Sequence, residues 1–166
     1  VENLERFQGN NTNWIEQVTR SARIQDYNMS LIGGNQFSQY AVSLNYFNQE
    51  GVIKNSGFER GSIRINLDVN PIKRLEFGLR LNANISSNQI VNQNGHGNYF
   101  ERNGPFTWAQ WASPLLPIYN DEGQFNLKNL LDEDKPNPIG MIQPNVEHFL
   151  NTFRSFGTLY GTYEIL

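Results

Sequence analysis

The chain has 166 residues, a formal net charge of −3 and no cysteine. This composition gives no electrostatic case for nucleic-acid binding, and it excludes a disulfide framework and a thiolate metal site. No apolar run approaches the roughly 18 residues that a transmembrane helix requires. The mean hydropathy of −0.56 suits a soluble domain, but it also suits a β-barrel, whose strands are apolar on one side only.

The predicted elements begin with a short helix and two strands. Asn13 followed by Glu16 resembles a capping box, which predicts a helix over residues 14–20. Apolar and polar residues then alternate over residues 25–33 and 39–48, and a period of two is that of a β-strand. The glycine pair within residues 33–36 predicts the turn between these strands.

The third and fourth predicted strands, over residues 60–69 and 74–86, are the most regular part of the sequence. Every second residue is apolar, from Ile63 to Val69 and again from Leu75 to Ile85. At ~3.3 Å per residue the second run spans roughly 36 Å, or about 28 Å when tilted by ~40°. This is close to the ~25 Å apolar belt of an outer-membrane barrel and long for a soluble strand. Its length therefore favours a strand that crosses a membrane.

A long connection over residues 89–151 precedes the fifth predicted strand, over residues 152–165. The connection lacks a period of two and holds six of the seven prolines, which cannot donate to a strand ladder. A short helix is predicted within it over residues 105–112. Short turns at 33–36 and 70–73 alternate with longer connections at 50–59 and 89–151. In an up-and-down meander, the short and the long connections then lie at opposite ends, as in outer-membrane barrels.

Two sets of side chains are candidates for a binding surface. Aromatic faces stack on the apolar faces of sugars, and the long connection carries the aromatic candidates Tyr99, Phe100, Trp108 and Trp111. The alternative is that these residues pack the connection onto the rest of the protein. Four charged residues on the polar face of the third and fourth strands are expected to pair with one another: Arg64, Asp68, Glu76 and Arg80.

The sequence gives no case for catalysis, a metal or a cofactor. Residues 120–122 and 132–134 do not have EF-hand spacing and are interpreted as solvated loops. His96 and His148 lack further zinc ligands at a recognisable spacing. No nucleophile elbow, phosphate-binding loop or dinucleotide-binding fingerprint occurs. The chain is therefore predicted not to be an enzyme.

Several segments, in the same order along the chain, resemble the barrel of SusC/RagA-type TonB-dependent outer-membrane transporters of the Bacteroidetes. Most of the resemblance lies in the segment YAVSLNYFNQEG at 40–51, followed by SGFER at 56–60. Further similar segments are NW at 13–14, SPLLPIYNDEG at 113–123, NPI at 137–139 and the stretch 154–166.

The resemblance implies an all-β fold, in which residues 1–166 contribute about five antiparallel strands and one long extracellular loop to a plugged barrel of ~22 strands. It implies import of oligosaccharides or peptides through a Gram-negative outer membrane. TonB would supply energy through a plug and TonB box outside these residues. A SusD-like lipoprotein and membrane lipid are the implied partners. The four charged residues would face the lumen, and the four aromatic residues would contact substrate or lipoprotein.

Two other interpretations remain open on the residues alone. A soluble β-sandwich, such as a carbohydrate-binding module, would bury one apolar face in its core: Ile63, Ile65, Leu67, Leu79 and Leu81. A passive porin or adhesin-like barrel would use the same strands without TonB. A second layer packed on the apolar face would favour the sandwich, and an uncovered face would favour a barrel.

Overall fold

The computed structural model describes residues 9–91, 104–120, 122–126, 128–129, 132–142 and 147–165. These residues contain the helices α1 (Trp14–Val18) and α2 (Pro105–Trp111) and a 3-10 turn at Gly140–Ile142. The strands that they contain are β1 (Ile24–Gly34), β2 (Ser38–Glu50), β3 (Gly57–Ile72), β4 (Leu75–Val91), β5 (Lys128–Asn129), β6 (Asp132–Pro136) and β7 (Glu147–Tyr163). Among the described residues, no helix has the length and the apolar character needed to cross a membrane.

Five strands form one antiparallel sheet in the order β1-β2-β3-β4-β7, and β5 pairs with β6 in a separate two-stranded sheet. Each long strand therefore lies beside the long strand that precedes it in the chain, as in an up-and-down meander. The large sheet is not closed within this chain, because β1 and β7 form its two edges. The predicted all-β fold class is confirmed.

The register of β1 on β2 separates an apolar face from a polar face. Tyr27 lies opposite Tyr46, and two further apolar pairs follow on the same face: Met29 with Leu44 and Leu31 with Val42. The opposite face pairs Asn28 with Asn45 and Ser30 with Ser43. Because side chains alternate along a strand, a shift of one residue would place the apolar side chains of β1 against the polar ones of β2.

The strands are longer than predicted, and both short turns are displaced. The side chain of Asn35 accepts hydrogen bonds from the backbone amides of Phe37 (2.8 Å) and Ser38 (3.0 Å), so the first turn forms beyond the glycine pair, which belongs to β1. The second turn is at Lys73 and Arg74, because β3 continues through Pro71. Proline is tolerated there because it lies at the exposed end of the strand.

The chain divides into two compact units. One, the sheet unit, comprises Arg23–Gln49, Phe58–Asn88 and Leu150–Leu166. The other, the connection unit, comprises Val1–Ala22, Glu50–Gly57 and Gln89–Phe149.

The connection unit has its own hydrophobic core, although it is assembled from three separate stretches of sequence. The buried cluster consists of Trp14, Val18, Val91, Ala109, Leu116, Ile139 and Ile142. Hydrogen bonds from side chains to backbone carbonyls join these stretches. Trp14 Nε1 donates to the carbonyl of Ser113 (2.8 Å), and Lys54 Nζ donates to the carbonyl of Gln17 (2.7 Å). The long connection therefore contains a packed body, and α2 confirms the helix predicted within it.

Candidate functional site

The apolar face of the large sheet carries several large side chains that are exposed. Side chains on this face have large exposed fractions, such as 66% for Met29, 62% for Ile85 and 79% for Leu159. The buried apolar cluster of the described residues lies in the connection unit. Soluble proteins rarely expose so large a contiguous apolar surface.

The residues predicted as a sandwich core do not form one in this structure. Ile63, Ile65, Leu79 and Leu81 are half-buried, and none of them belongs to the buried cluster of the described residues. A β-sandwich requires a second layer packed on such a face. Within the described residues, the buried layer that the sandwich interpretation requires is absent.

Along the apolar face, side chains change from aliphatic to aromatic to polar toward the end of the sheet that adjoins the long connections. Tyr27 stacks on Tyr46 with ring centroids 6.4 Å apart, near the ends of β1 and β2 that adjoin the long connections. Beyond these rings the same face becomes polar, where Asn48 Nδ2 donates to Glu59 Oε1 at 2.9 Å. A succession from aliphatic to aromatic to polar side chains is typical of a barrel surface at the membrane interface.

On the polar face, Asp68, Arg80 and Tyr160 form a closed group across three strands. Arg80 Nη2 lies 2.7 Å from both carboxylate oxygens of Asp68. Arg80 Nη1 donates to the backbone carbonyls of Leu67 (3.0 Å) and Leu79 (3.1 Å). The hydroxyl of Tyr160 donates to Asp68 at 2.9 Å, and its ring lies 5.7 Å from the Arg80 guanidinium. The Nη1 and Nη2 donors of Arg80 are thus engaged by residues of the sheet itself.

The four charged residues predicted to pair do so only in part. Asp68 and Arg80 form an ion pair, and Glu76 Oε1 lies 3.4 Å from the hydroxyl of Tyr160, whose single proton is donated to Asp68 at the shorter distance. Arg64 is exposed and makes no ion pair or hydrogen bond with any described residue. On this face, the guanidinium of Arg80 is thus engaged, whereas that of Arg64 is not engaged by any described residue.

A second polar group lies at the end of the sheet that adjoins the long connections. Asn45 Nδ2 donates to Asp26 (2.5 Å) and Asn28 (2.8 Å), and Asn45 Oδ1 accepts from Arg60 at 3.4 Å. The Arg60 guanidinium also lies 5.6 Å from the ring centroid of Phe47. This group combines the neutral amides of Asn28 and Asn45 with the Asp26 carboxylate and the Arg60 guanidinium.

The aromatic candidates of the long connection have different environments. Trp108 is 2% exposed and packs edge-on against Trp111, with ring centroids 5.4 Å apart. Trp111 is 54% exposed. Tyr99 and Phe100 lie outside the described residues. Of the two tryptophans, only Trp111 has a ring that is exposed enough to contact a partner.

The side chain of Asn120, in the first acidic segment, binds nearby backbone amides. Asn120 Oδ1 accepts from the backbone amides of Glu122 (3.1 Å) and Gln124 (2.8 Å), and the amide of Gly123 donates to the carbonyl of Asn120 (3.0 Å). In the described part of the chain, no group of three His, Asp or Glu residues is placed to hold a metal ion. The side-chain oxygen of Asn120 thus serves the local backbone.

Tyr160 is the residue of this face that the sequence pattern did not identify. Aromatic and apolar residues occur on both faces of the last strand, so its alternation did not assign a side to Tyr160. A signal was present on the neighbouring strand, where Gly78 interrupts a series of polar side chains. Glycine inside a strand often marks a close approach by another group, and here that group is the tyrosine ring.

Comparison with known proteins identifies relatives of one kind. Two TonB-dependent receptors of Formosa agariphila are 34% and 31% identical to this chain over 93% and 94% of its length. The TonB-dependent receptor SusC of Bacteroides thetaiotaomicron is 26% identical over 85% of it. No family model matches the chain. The sequence resemblance to SusC-like receptors is thereby confirmed.

Solved structures show the same fold. Two structures of RagAB, described as a peptide transporter and as a peptide importer in a closed-closed state, match with TM-scores of 0.60 and 0.59. They cover 89% and 90% of this chain at 19% and 18% identity. The chain spans 14%, 15% and 13% of the three curated relatives and 17% of each solved chain. The match is therefore to one part of much longer proteins.

Proposed function

Because this chain is SusC-like, related over most of its length to part of the TonB-dependent receptors, we propose that it forms a section of the barrel wall of an outer-membrane nutrient importer. The relatives are receptors and transporters by name. The role proposed here is that of a wall and of part of the outer entrance, without catalysis.

The observation that carries this proposal is the single, two-faced sheet. Its apolar face is exposed, with Leu159 and Met29 among the most exposed side chains, while its other face carries the Asp68–Arg80 pair and a series of amides. In a barrel wall, lipid covers the first face and the aqueous lumen hydrates the second. The strands then cross the membrane several times, and Arg64, Asp68, Glu76 and Arg80 face the lumen.

The connection unit is assigned to the extracellular side. The turns at residues 35–37 and 73–74 are short, whereas the connections between β2 and β3 and between β4 and β7 contribute to a packed body. Outer-membrane barrels have short periplasmic turns and long outer loops. A SusD-like lipoprotein would bind on this side. The exposed ring of Trp111, together with Tyr99 and Phe100, is proposed to contact the lipoprotein or the substrate. Trp108 packs against Trp111 and would support its ring.

The proposed substrates are oligosaccharides or peptides. The relatives include SusC, and the structural match is to RagAB, which is described as a peptide transporter. Both substrate classes are rich in hydrogen-bonding groups, which suits the amides around Asn45. Energy would come from TonB through another part of the receptor.

The orientation of the sheet can be tested with single cysteines, since these 166 residues contain none and any cysteine elsewhere in the receptor can be replaced by serine. In the full-length receptor in liposomes, bimane attached at Leu79→Cys should be quenched by brominated lipids. Bimane at Asn82→Cys, on the opposite face of the same strand, is the matched control and should not be quenched. Equal quenching at both positions, or none at Leu79→Cys, would contradict a lipid-facing apolar surface.

Transport is tested by growth on oligosaccharides or on peptides as the carbon source. Deletion of the receptor should abolish growth on one of these substrates, and loss of TonB should have the same effect. Growth that requires the receptor but not TonB would identify a passive porin instead.

A further inference from the structure

We propose that a depression on the polar face, with Arg64 as its available cation, is a carboxylate-binding subsite on the lumen wall. The inference rests on the proposed function, because it places a ligand inside the lumen. The depression is lined by nine residues, and the side chains among them that lie on the polar face are Arg64, Asn66, Arg80, Asn82, Phe156 and Thr158.

The two arginines of the depression are in different states. Arg80 is engaged by the carboxylate of Asp68, by two backbone carbonyls and by Tyr160. Arg64 is exposed, and no described residue accepts a hydrogen bond from it. Asp68 already neutralises Arg80, so the charge available to a ligand is that of Arg64.

The remaining lining favours an anion over a cation. Among the described residues, no Asp or Glu lines the depression. Asn66, Asn82 and Thr158 supply neutral amide and hydroxyl groups that make no side-chain hydrogen bond to another described residue. The ring of Phe156, which is 69% exposed, offers an apolar surface beside them. A guanidinium with neutral hydrogen-bonding neighbours can bind a carboxylate through two parallel N–H···O bonds.

The depression lies near the middle of the strands and not at their ends. Arg64 lies near the middle of β3, and Phe156 lies near the middle of β7. A ligand would therefore reach Arg64 within the lumen and not at the outer rim. Carboxylates occur at the C-terminus of a peptide and on uronic acid sugars, and both belong to the proposed substrate classes.

The test compares acidic and neutral forms of the same ligand on the full-length receptor by isothermal titration calorimetry. One pair is acetyl-tetra-alanine with a free carboxylate or with a C-terminal amide. The other pair is trigalacturonate or its methyl ester. We expect the acidic form of one pair to bind about tenfold or more tightly than its neutral form, and the identity of that pair shows the source of the carboxylate.

The Arg64→Gln variant should lose this preference and bind the acidic and neutral forms equally. Arg60→Gln is the matched control, since Arg60 lies on the same face of β3 but is held by Asn45 and Phe47. It should keep the preference. Absence of a preference in the natural receptor, failure of both pairs to bind, or a preference that survives Arg64→Gln would overturn the subsite.

The lipid-quenching and TonB-dependence results are independent of these titrations. If they hold while Arg64→Gln changes nothing, the importer wall stands and only the subsite fails. If quenching shows no lipid-facing surface, the proposed function itself fails.

Discussion

The ring of Tyr160 lies directly against the backbone of Gly78 on the neighbouring strand. A Cβ atom built on Gly78 would lie 2.1 Å from Cζ of the tyrosine, so no larger residue fits beneath the ring in this position. Close packing here brings the hydroxyl of Tyr160 to 2.9 Å from Asp68, two strands away. The glycine thus allows one side chain to tie β7 to both β4 and β3.

The Gly78→Ala variant should destabilise the sheet by about 1–3 kcal/mol, because the added methyl displaces the ring and breaks the hydrogen bond to Asp68. Denaturant unfolding of the full-length receptor in liposomes measures the cost. Gly157→Ala is the matched control, since its Cβ would meet Leu81 at an ordinary 3.5 Å. Equal costs for the two variants would show that the contact between Tyr160 and Gly78 is not tight.

The Tyr160→Phe variant separates the hydroxyl from the ring. It keeps the contact with Gly78 but removes the donor to Asp68, and the expected cost is about 0.5–1.5 kcal/mol in the free energy of unfolding. Tyr163→Phe, on the same strand and 59% exposed, should change the stability by less than about 0.5 kcal/mol. If Tyr160→Phe has as little effect as Tyr163→Phe, the hydroxyl does not stabilise the three-strand group.

A charged side chain introduced on the apolar face of β4 should lower the free energy of unfolding more than one introduced on its polar face. Leu79→Arg places a guanidinium on the apolar face and should destabilise the inserted protein by about 2–4 kcal/mol, because the charge enters hydrocarbon. Asn82→Arg places the same group on the polar face, where water solvates it, and should be mild. Both are measured by denaturant titration of the full-length receptor folded into liposomes. Equal costs would argue against a lipid-facing surface.

The core of the connection unit should depend on Trp14, which is 3% exposed. Trp14→Ala removes a buried indole and its hydrogen bond to Ser113, a local loss of about 3–5 kcal/mol. Hydrogen exchange should therefore accelerate in α2, although α2 is remote from Trp14 in sequence. Ile15→Ala, at a side chain that is 42% exposed, should leave exchange in α2 unchanged. Unchanged exchange in Trp14→Ala would show that α2 is stable without this core.

The large sheet was predictable because its signal is local. Alternation from Ile63 to Val69 and from Leu75 to Ile85 assigns each side chain to a face without knowledge of any other strand. The turns were located less well. Asn35 shifts the first turn because its side chain accepts hydrogen bonds from nearby backbone amides. Pro71 does not end β3, because proline is tolerated at the exposed end of a strand.

The sequence predicted which residues lie on the polar face, but not which of them pair with one another. The sequence placed Asp68 and Arg80 on one face, and the structure brings them together. It also leaves Arg64 without a partner among the described residues, and it adds Tyr160 from a strand far along the chain. Which charges meet depends on the register between strands, and a period of two does not specify that register.

The sequence alone therefore determined that the protein consists of long two-faced strands, because the side chains of a strand alternate whatever the strand packs against. Only the tertiary structure decided that Tyr160 rests on Gly78 and that Trp14 shares a core with Leu116 and Ile142. These contacts join residues remote in sequence, and they form only where burial and hydrogen bonding outweigh the chain entropy lost in closing the intervening segments.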